Sequence, residues 1–120
     1  MNPGRRMKRT SRTLFSAALA SALALCSTAS IAADAARGRE KADQVCAACH
    51  GKDGNTPIDA SYPKLAGQSA DYLYQALRCY QNESRKNAIM GGLAKPLTKV
   101  EMRDLAAFYA SLRGQLGYRK

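Results

Sequence analysis

Residues 46–50 read Cys-Ala-Ala-Cys-His, and no other stretch limits the fold of this chain as much. Two cysteines three apart lie on one face of a helix, so Cys46 and Cys49 can both reach the edge of a single flat macrocycle. The C-x-x-C-H order is the pattern of covalent c-type haem attachment. His50 follows directly and is the only histidine in the chain. Its position brings the imidazole under the iron as a proximal ligand. A chain with this motif is expected to wrap a porphyrin, and the remaining sequence then has to supply the wall.

Two other uses of paired cysteines fit less well. A zinc site needs a fourth soft ligand, and Cys79 is the cysteine left to supply it, without the paired spacing of structural zinc sites. A thioredoxin-like C-x-x-C belongs in a βαβ pattern, and strands alternating with helices are absent from the pattern of this sequence.

The first 32 residues read as an export signal. Arg5, Arg6, Lys8, Arg9 and Arg12 stand without an acid, an apolar run follows from Leu14 to Leu25, and small residues close it at Ser30 and Ala32. That order is a secretory signal peptide with cleavage after Ala32, its apolar core too short for a membrane span of ~20 residues. The expected mature domain is therefore 33–120, placed in the periplasm, with no membrane span of its own. Losing five basic residues takes the formal charge from +10 to +5. Lysine and arginine are scattered through that domain and form no cluster interleaved with aromatics, so nucleic acid is not the expected partner. A modest positive surface suits docking to an acidic patch on another protein.

The domain divides into helices and two loops. Asp34 is a good cap, and Ala35 onward is mostly helix former, so 34–50 reads as the first helix. Gly38 interrupts it; either a second helix comes close there or the helix starts after it. Glycines, Asp53-Gly54-Asn55, Pro57 and Pro63 make 51–67 a long irregular loop across one haem face. The Pro63 carbonyl can accept the Nδ1 proton of His50 and orient the ring. Ser69 is read as the cap of a helix over about 70–83, with Leu73, Ala76, Leu77 and Tyr80 on one stripe. Cys79 falls at the border of that stripe, where an odd cysteine can stay free or join two chains in a dimer. Residues 82–98 read as a second loop. In its middle Met90-Gly91-Gly92 offers a thioether to the iron face opposite His50, with glycines that let the backbone approach the porphyrin. Arg85 and Lys86 are within sequence reach of the propionates. Thr98-Lys99-Val100-Glu101 is a capping box. The last helix runs to about Arg113 with Met102, Leu105, Ala106, Tyr109 and Leu112 on one side, stopped by Gly114. The class is all-α.

Taken in order, Cys46 to Gly51, Asp53-Gly54-Asn55, Tyr62-Pro63-Lys64-Leu65-Ala66-Gly67-Gln68, Arg85 to Met90, and Leu105 to Tyr109 resemble the class I c-type cytochromes, nearest the short bacterial c-553 and c-four kind. The resemblance spans nearly all of 34–113. It implies three to four helices wrapped around one covalent haem c, His50 and Met90 as axial ligands, the Pro63 carbonyl on His50, and Gly38 meeting Tyr109 where the terminal helices cross. Two departures stand out: the c-four kind carries two such domains, and Cys79 is outside the pattern. The expected function is a periplasmic one-electron carrier between redox proteins, without enzymatic activity. The alternatives are a haem subunit of a larger oxidoreductase, and a gas sensor or peroxidatic protein with an open distal site.

Overall fold

A computed structural model describes residues 32–115; apart from Ala32, the expected leader lies outside them. Five helical segments follow one another: α1 Ala35–Val45, α2 Ala47–His50, α3 Ala70–Gln81, α4 Ala88–Ala94 and α5 Lys99–Ser111. No strand occurs among the described residues, and no helix there is long and apolar enough to cross a membrane.

The expected first helix is two. α1 is capped as foreseen, with the Asp34 carboxylate accepting from Ala36 N and Arg37 N. It ends at Cys46, where φ opens to −112°, well away from the −63° of an α-helix. The Cys46 carbonyl accepts both Cys49 N at 3.2 Å and His50 N at 3.0 Å. The first of these is the tighter i→i+3 bond of a 3₁₀ turn, and that local tightening divides the segment.

α1 crosses α5, and Gly38 allows it. A Cβ on Gly38 would overlap the Asp104 carbonyl and press on Phe108 Cβ. The aromatic residue opposite Gly38 is therefore Phe108, not Tyr109; the Tyr109 ring instead faces Gly54, where an added Cβ would stand 3.0 Å from Cδ1. The two residues are neighbours on α5 and point about 100° apart, so one packs on α1 and the other on the 51–67 loop. Because backbone cannot yield as a side-chain tip can, Gly38→Ala is expected to cost about 2–3 kcal/mol, or about 10–20 °C in Tm for a domain of this size, read by thermal unfolding.

Asp104 fastens the same crossing. It is 3% exposed, and its carboxylate accepts from Asp34 N at 2.7 Å and from Arg37 Nε at 2.9 Å. Burial by itself would raise this carboxyl, but the Arg37 hydrogen bond and the Asp34 N–H outweigh it and hold it below its ordinary value. Glu101 completes the foreseen capping box with Thr98 and pairs with Lys41 Nζ at 2.8 Å. The Lys41 hydrogen bond, then that from Thr98, lowers its carboxyl from 4.5 to about 2. A carboxyl depressed in the folded state stabilises above its unfolded value, and that stability goes as pH falls through the folded one. Tm should therefore drop between about pH 4.5 and pH 2. Glu101→Gln keeps a capping side chain but loses the charge, and should remove part of that acid dependence. For a pair this exposed the loss is below about 1 kcal/mol.

α3 begins at Ala70 as expected, yet the Ser69 side chain makes no cap hydrogen bond; the Ser69 contribution is its carbonyl, which accepts Leu73 N at 3.0 Å. The helix ends at Gln81 rather than near Glu83, whose φ is +63°. The expected loop 82–98 is corrected more substantially, because α4 lies inside it. Asn87 caps α4 by accepting Met90 N at 2.9 Å, and Ile89 and Leu93 then repeat at i and i+4 toward one cavity. Gln81 Nε2 reaches across from α3 to the carbonyls of Ala94 at 3.2 Å and Leu97 at 2.7 Å. α5 stops at Ser111, with Leu112 already extended. Gly114 does not end the helix; it sits against Ala66 and Gly67, where no side chain fits.

Candidate haem site

The five helical segments leave a cavity of about 540 Å³, within the ~300–1,000 Å³ of sites that enclose a small molecule or cofactor. The junction of α1 and α2 supplies Cys46, α2 His50, the 51–67 loop Tyr62, Pro63 and Leu65, α3 Leu73, Ala76 and Leu77, α4 Ile89 and Met90, and α5 Leu105, Ala106 and Tyr109. A narrower apolar recess shares Cys46, His50, Leu77 and Met90 and adds Val45, Cys49, Leu93 and Leu97. The structure thus brings Cys46, Cys49, His50 and Met90 to one hollow.

His50 is 4% exposed, with Nδ1 3.0 Å from the Pro63 carbonyl oxygen. A carbonyl can only accept, so Nδ1 carries the proton. Nε2 then holds the free lone pair and is the nitrogen able to bind a metal. Tyr62 meets the ring edge-on, with centroids 6.0 Å apart. The Pro63 segment is itself anchored. Gly54, at φ +64°, turns its carbonyl to accept Leu65 N at 2.7 Å and Ala66 N at 3.1 Å, and Gly67 N donates to Tyr109 O at 2.9 Å. Asn55 ties the same loop to the C-terminal end, donating from Nδ2 to Arg113 O at 3.0 Å.

Burial, the largest influence, pushes the Cys46 thiol up to about 11, and Cys49 adds to the rise. Cys79 is half-buried and free on α3 and lines neither hollow. No group of three or more His, Cys, Asp or Glu side chains among the described residues is placed to hold a metal, so the zinc alternative has no ligand set there.

Two details differ from the sequence reading. Met90 is reached from the third residue of α4, not from a loop, and Gly91 and Gly92 do not bring backbone to the cavity. Gly92 faces open space and Gly91 the Tyr80 carbonyl, both on an outer groove. Arg85 does border the cavity, its guanidinium 4.9 Å from the Tyr80 ring centre, whereas Lys86 borders only the outer groove. Sequence reasoning passed over Gly54 as a wall against Tyr109, and Asp104. The signal for Asp104 was a carboxylate within the apolar pattern of the last helix.

An all-helical shell with a mostly apolar hollow, one metal-ready imidazole and two cysteines on its wall defines a covalent haem protein. The cytochrome c family model matches residues 35–113, and the chain belongs to that family; its cofactor is haem c. Cytochrome c4 of Pseudomonas aeruginosa is 41% identical over 95 residues, covering 79% of this chain and 46% of that protein. Cytochrome c-554(548) of Halomonas halodenitrificans is 42% identical over 85 residues, 67% of this chain and 98% of the relative. The thiosulfate dehydrogenase electron acceptor of Thiomonas intermedia is 43% identical over 68 residues, 57% of this chain and 31% of that one. Reduced cytochrome c4 from Pseudomonas stutzeri superposes with a TM-score of 0.65 at 38% identity, over 74% of this chain and 50% of the other. The chain spans about half the length of the cytochromes c4 it matches.

Proposed function

We propose that the chain is a periplasmic one-electron carrier. Cys46 and Cys49 would carry the thioethers, and His50 Nε2 and the Met90 sulfur would hold the iron. The observation that carries this is one hollow holding a tautomer-fixed imidazole, two cysteines and a methionine in an apolar wall. Bound haem supplies a ferric–ferrous couple. The chain's own residues set its terms. Pro63 holds the Nδ1 proton of His50 and so makes Nε2 a stronger donor. Met90 and the apolar lining favour the less charged reduced state. With His50 and Met90 both holding the iron, no position for a substrate would be left, which favours a carrier over an enzyme. Ile89, 54% exposed, and Leu93, 36% exposed, rim the recess beside Cys46 and Cys49, so the thioether edge is where electrons cross during a brief, small contact with a partner. The expected leader and a charge of +5 without it support a partner among exported redox proteins with an acidic docking face. The relative named as an electron acceptor supports accepting electrons from a dehydrogenase as one half of the cycle.

Absorption spectra of the purified oxidised and reduced protein, with mass spectrometry of the exported chain, test the reading. The expected results are one covalent haem, a start at Ala33, and the weak red band of a methionine–ferric bond. An exported chain without added haem mass overturns it.

A further inference from the structure

α4 presents two faces of opposite character. Ile89, Met90, Leu93 and Ala94 border the haem recess, whereas Ala88, Gly91, Gly92 and Lys95, at the i, i+3, i+4, i+7 spacing of one helix face, border an outer groove of about 360 Å³. Three exposed cations line that groove: Arg85, Lys86 and Lys95. Glu83 is the one acid among the lining residues, its carboxylate 3.5 Å from Lys95 Nζ, and among the described residues no carboxylate pairs with Arg85 or Lys86. Tyr80, Arg85 and Asn87 border both the groove and the haem cavity, so an occupant of the groove lies one side chain from the cofactor. We infer that the groove docks an extended acidic segment of the protein that reduces the haem, a role that rests on the chain being the electron carrier proposed above.

Charge selects the chemistry of the occupant. A carboxylate of the chain itself already stands at Lys95, in an exposed pair too weak to keep a competitor out, and Arg85 and Lys86 remain to attract further acids. Such charges chiefly speed the encounter and fix its register. The floor selects the shape. Glycine is among the poorest residues inside a helix, and the fold does not require it at either position: neither φ is positive, a Cβ on Gly92 would meet nothing within 4 Å, and one on Gly91 would only touch the Tyr80 carbonyl at an ordinary 3.7 Å. What two bare residues provide is close approach for another backbone, which suits an extended chain laid along α4. Ile89 and Leu93 stay free on the opposite face for the contact through which the electron passes. The redox state selects the direction. Ferric haem carries one more positive charge than ferrous, so a carboxylate this near favours the oxidised protein, and by reciprocity the acidic segment binds that state more tightly and leaves more readily after reduction. That order serves a donor, which has to find the oxidised carrier and release the reduced one.

Amide NMR titration of the labelled holoprotein in both redox states at low salt is the test. The probe is a blocked peptide of alternating Asp and Ser, and the control is the same peptide with Asn for Asp. Shifts within residues 86–95 with the Asp peptide alone are expected, with a lower Kd for the ferric state. Lys86→Gln combined with Lys95→Gln, two charges that border the groove and not the cavity, should weaken binding by about three- to tenfold. Gly91→Ala combined with Gly92→Ala should weaken it as well while raising Tm, because alanine is the better helix former and both Cβ atoms find room. Shifts that gather instead at Arg78, Lys99 and Arg103, the cations around Tyr74, overturn the inference, as do equal affinities in the two redox states or full binding by the glycine variant. A haem-free exported chain sinks the carrier reading and this one with it, whereas a normal haem spectrum without shifts in the groove sinks the docking role alone.

Discussion

Met90→Ala is expected to lower the reduction potential by roughly 0.2 V, within the ~0.8 V that axial ligands span, and to let ferrous protein bind carbon monoxide. The reasoning starts from placement. Met90 borders the same two hollows as His50, and a thioether is a soft ligand that stabilises the reduced metal. Its backbone is fixed as well, because Met90 N donates to Asn87 Oδ1 at 2.9 Å and the helix begins there. Ala keeps that backbone bond and has high helix propensity, so α4 survives and the effect is confined to the ligand. A potentiometric titration reads the first outcome, and optical titration of reduced protein with carbon monoxide reads the second. If the unaltered ferrous protein already takes up carbon monoxide readily, Met90 is not the ligand. Met102 cannot replace it, being 0% exposed within the α5 core and bordering neither hollow.

The parts of this arrangement written in short-range chemistry were legible in the sequence. C-x-x-C-H, the Thr98–Glu101 capping box and the Leu73–Tyr80 stripe each work within one or two helical turns, and each appears where the spacing placed it. α4 was read as loop because Gly91-Gly92 is a poor helix pair by propensity. What holds it is Gln81, bonding the carbonyls of residues 13 to 16 positions away. Propensity carries no trace of a partner at that distance. Of the two readings left open for Gly38 the close approach holds, yet the partner implied by the resemblance was misplaced by one residue, since packing direction on α5 depends on where the axis of α1 lies. Asp104 was passed over. Its role depends on Asp34 and Arg37, about 70 residues earlier, and only the fold brings them together.

Replacing both attachment residues, Cys46→Ala with Cys49→Ala, should abolish cooperative unfolding in protein made without haem. The polypeptide core is small: of its ten buried apolar residues four are alanines, and Met102 and Leu105 are the largest that are fully buried, with Leu73, Leu97, Phe108 and Tyr109 nearly so. A domain of under 90 residues buries only ~60–65% of its unfolded surface. Left empty, a hollow of about 540 Å³ would cost about 13 kcal/mol at ~24 cal/mol per Å³ if fully enclosed. Its open mouth reduces that figure, but the total stability of a domain is only ~5–15 kcal/mol. Filling that hollow is thus a large share of what stabilises the fold: the thioethers would hold haem to the unfolded chain as well, but its apolar contacts and its iron ligation form only in the native state. Loss of the sigmoidal circular-dichroism melt, with helical signal falling gradually from low temperature, is the expected trace. A sharp transition in the haem-free variant would mean that α1, α3 and α5 close the hollow without the porphyrin, and that the cofactor is a guest in a fold already complete.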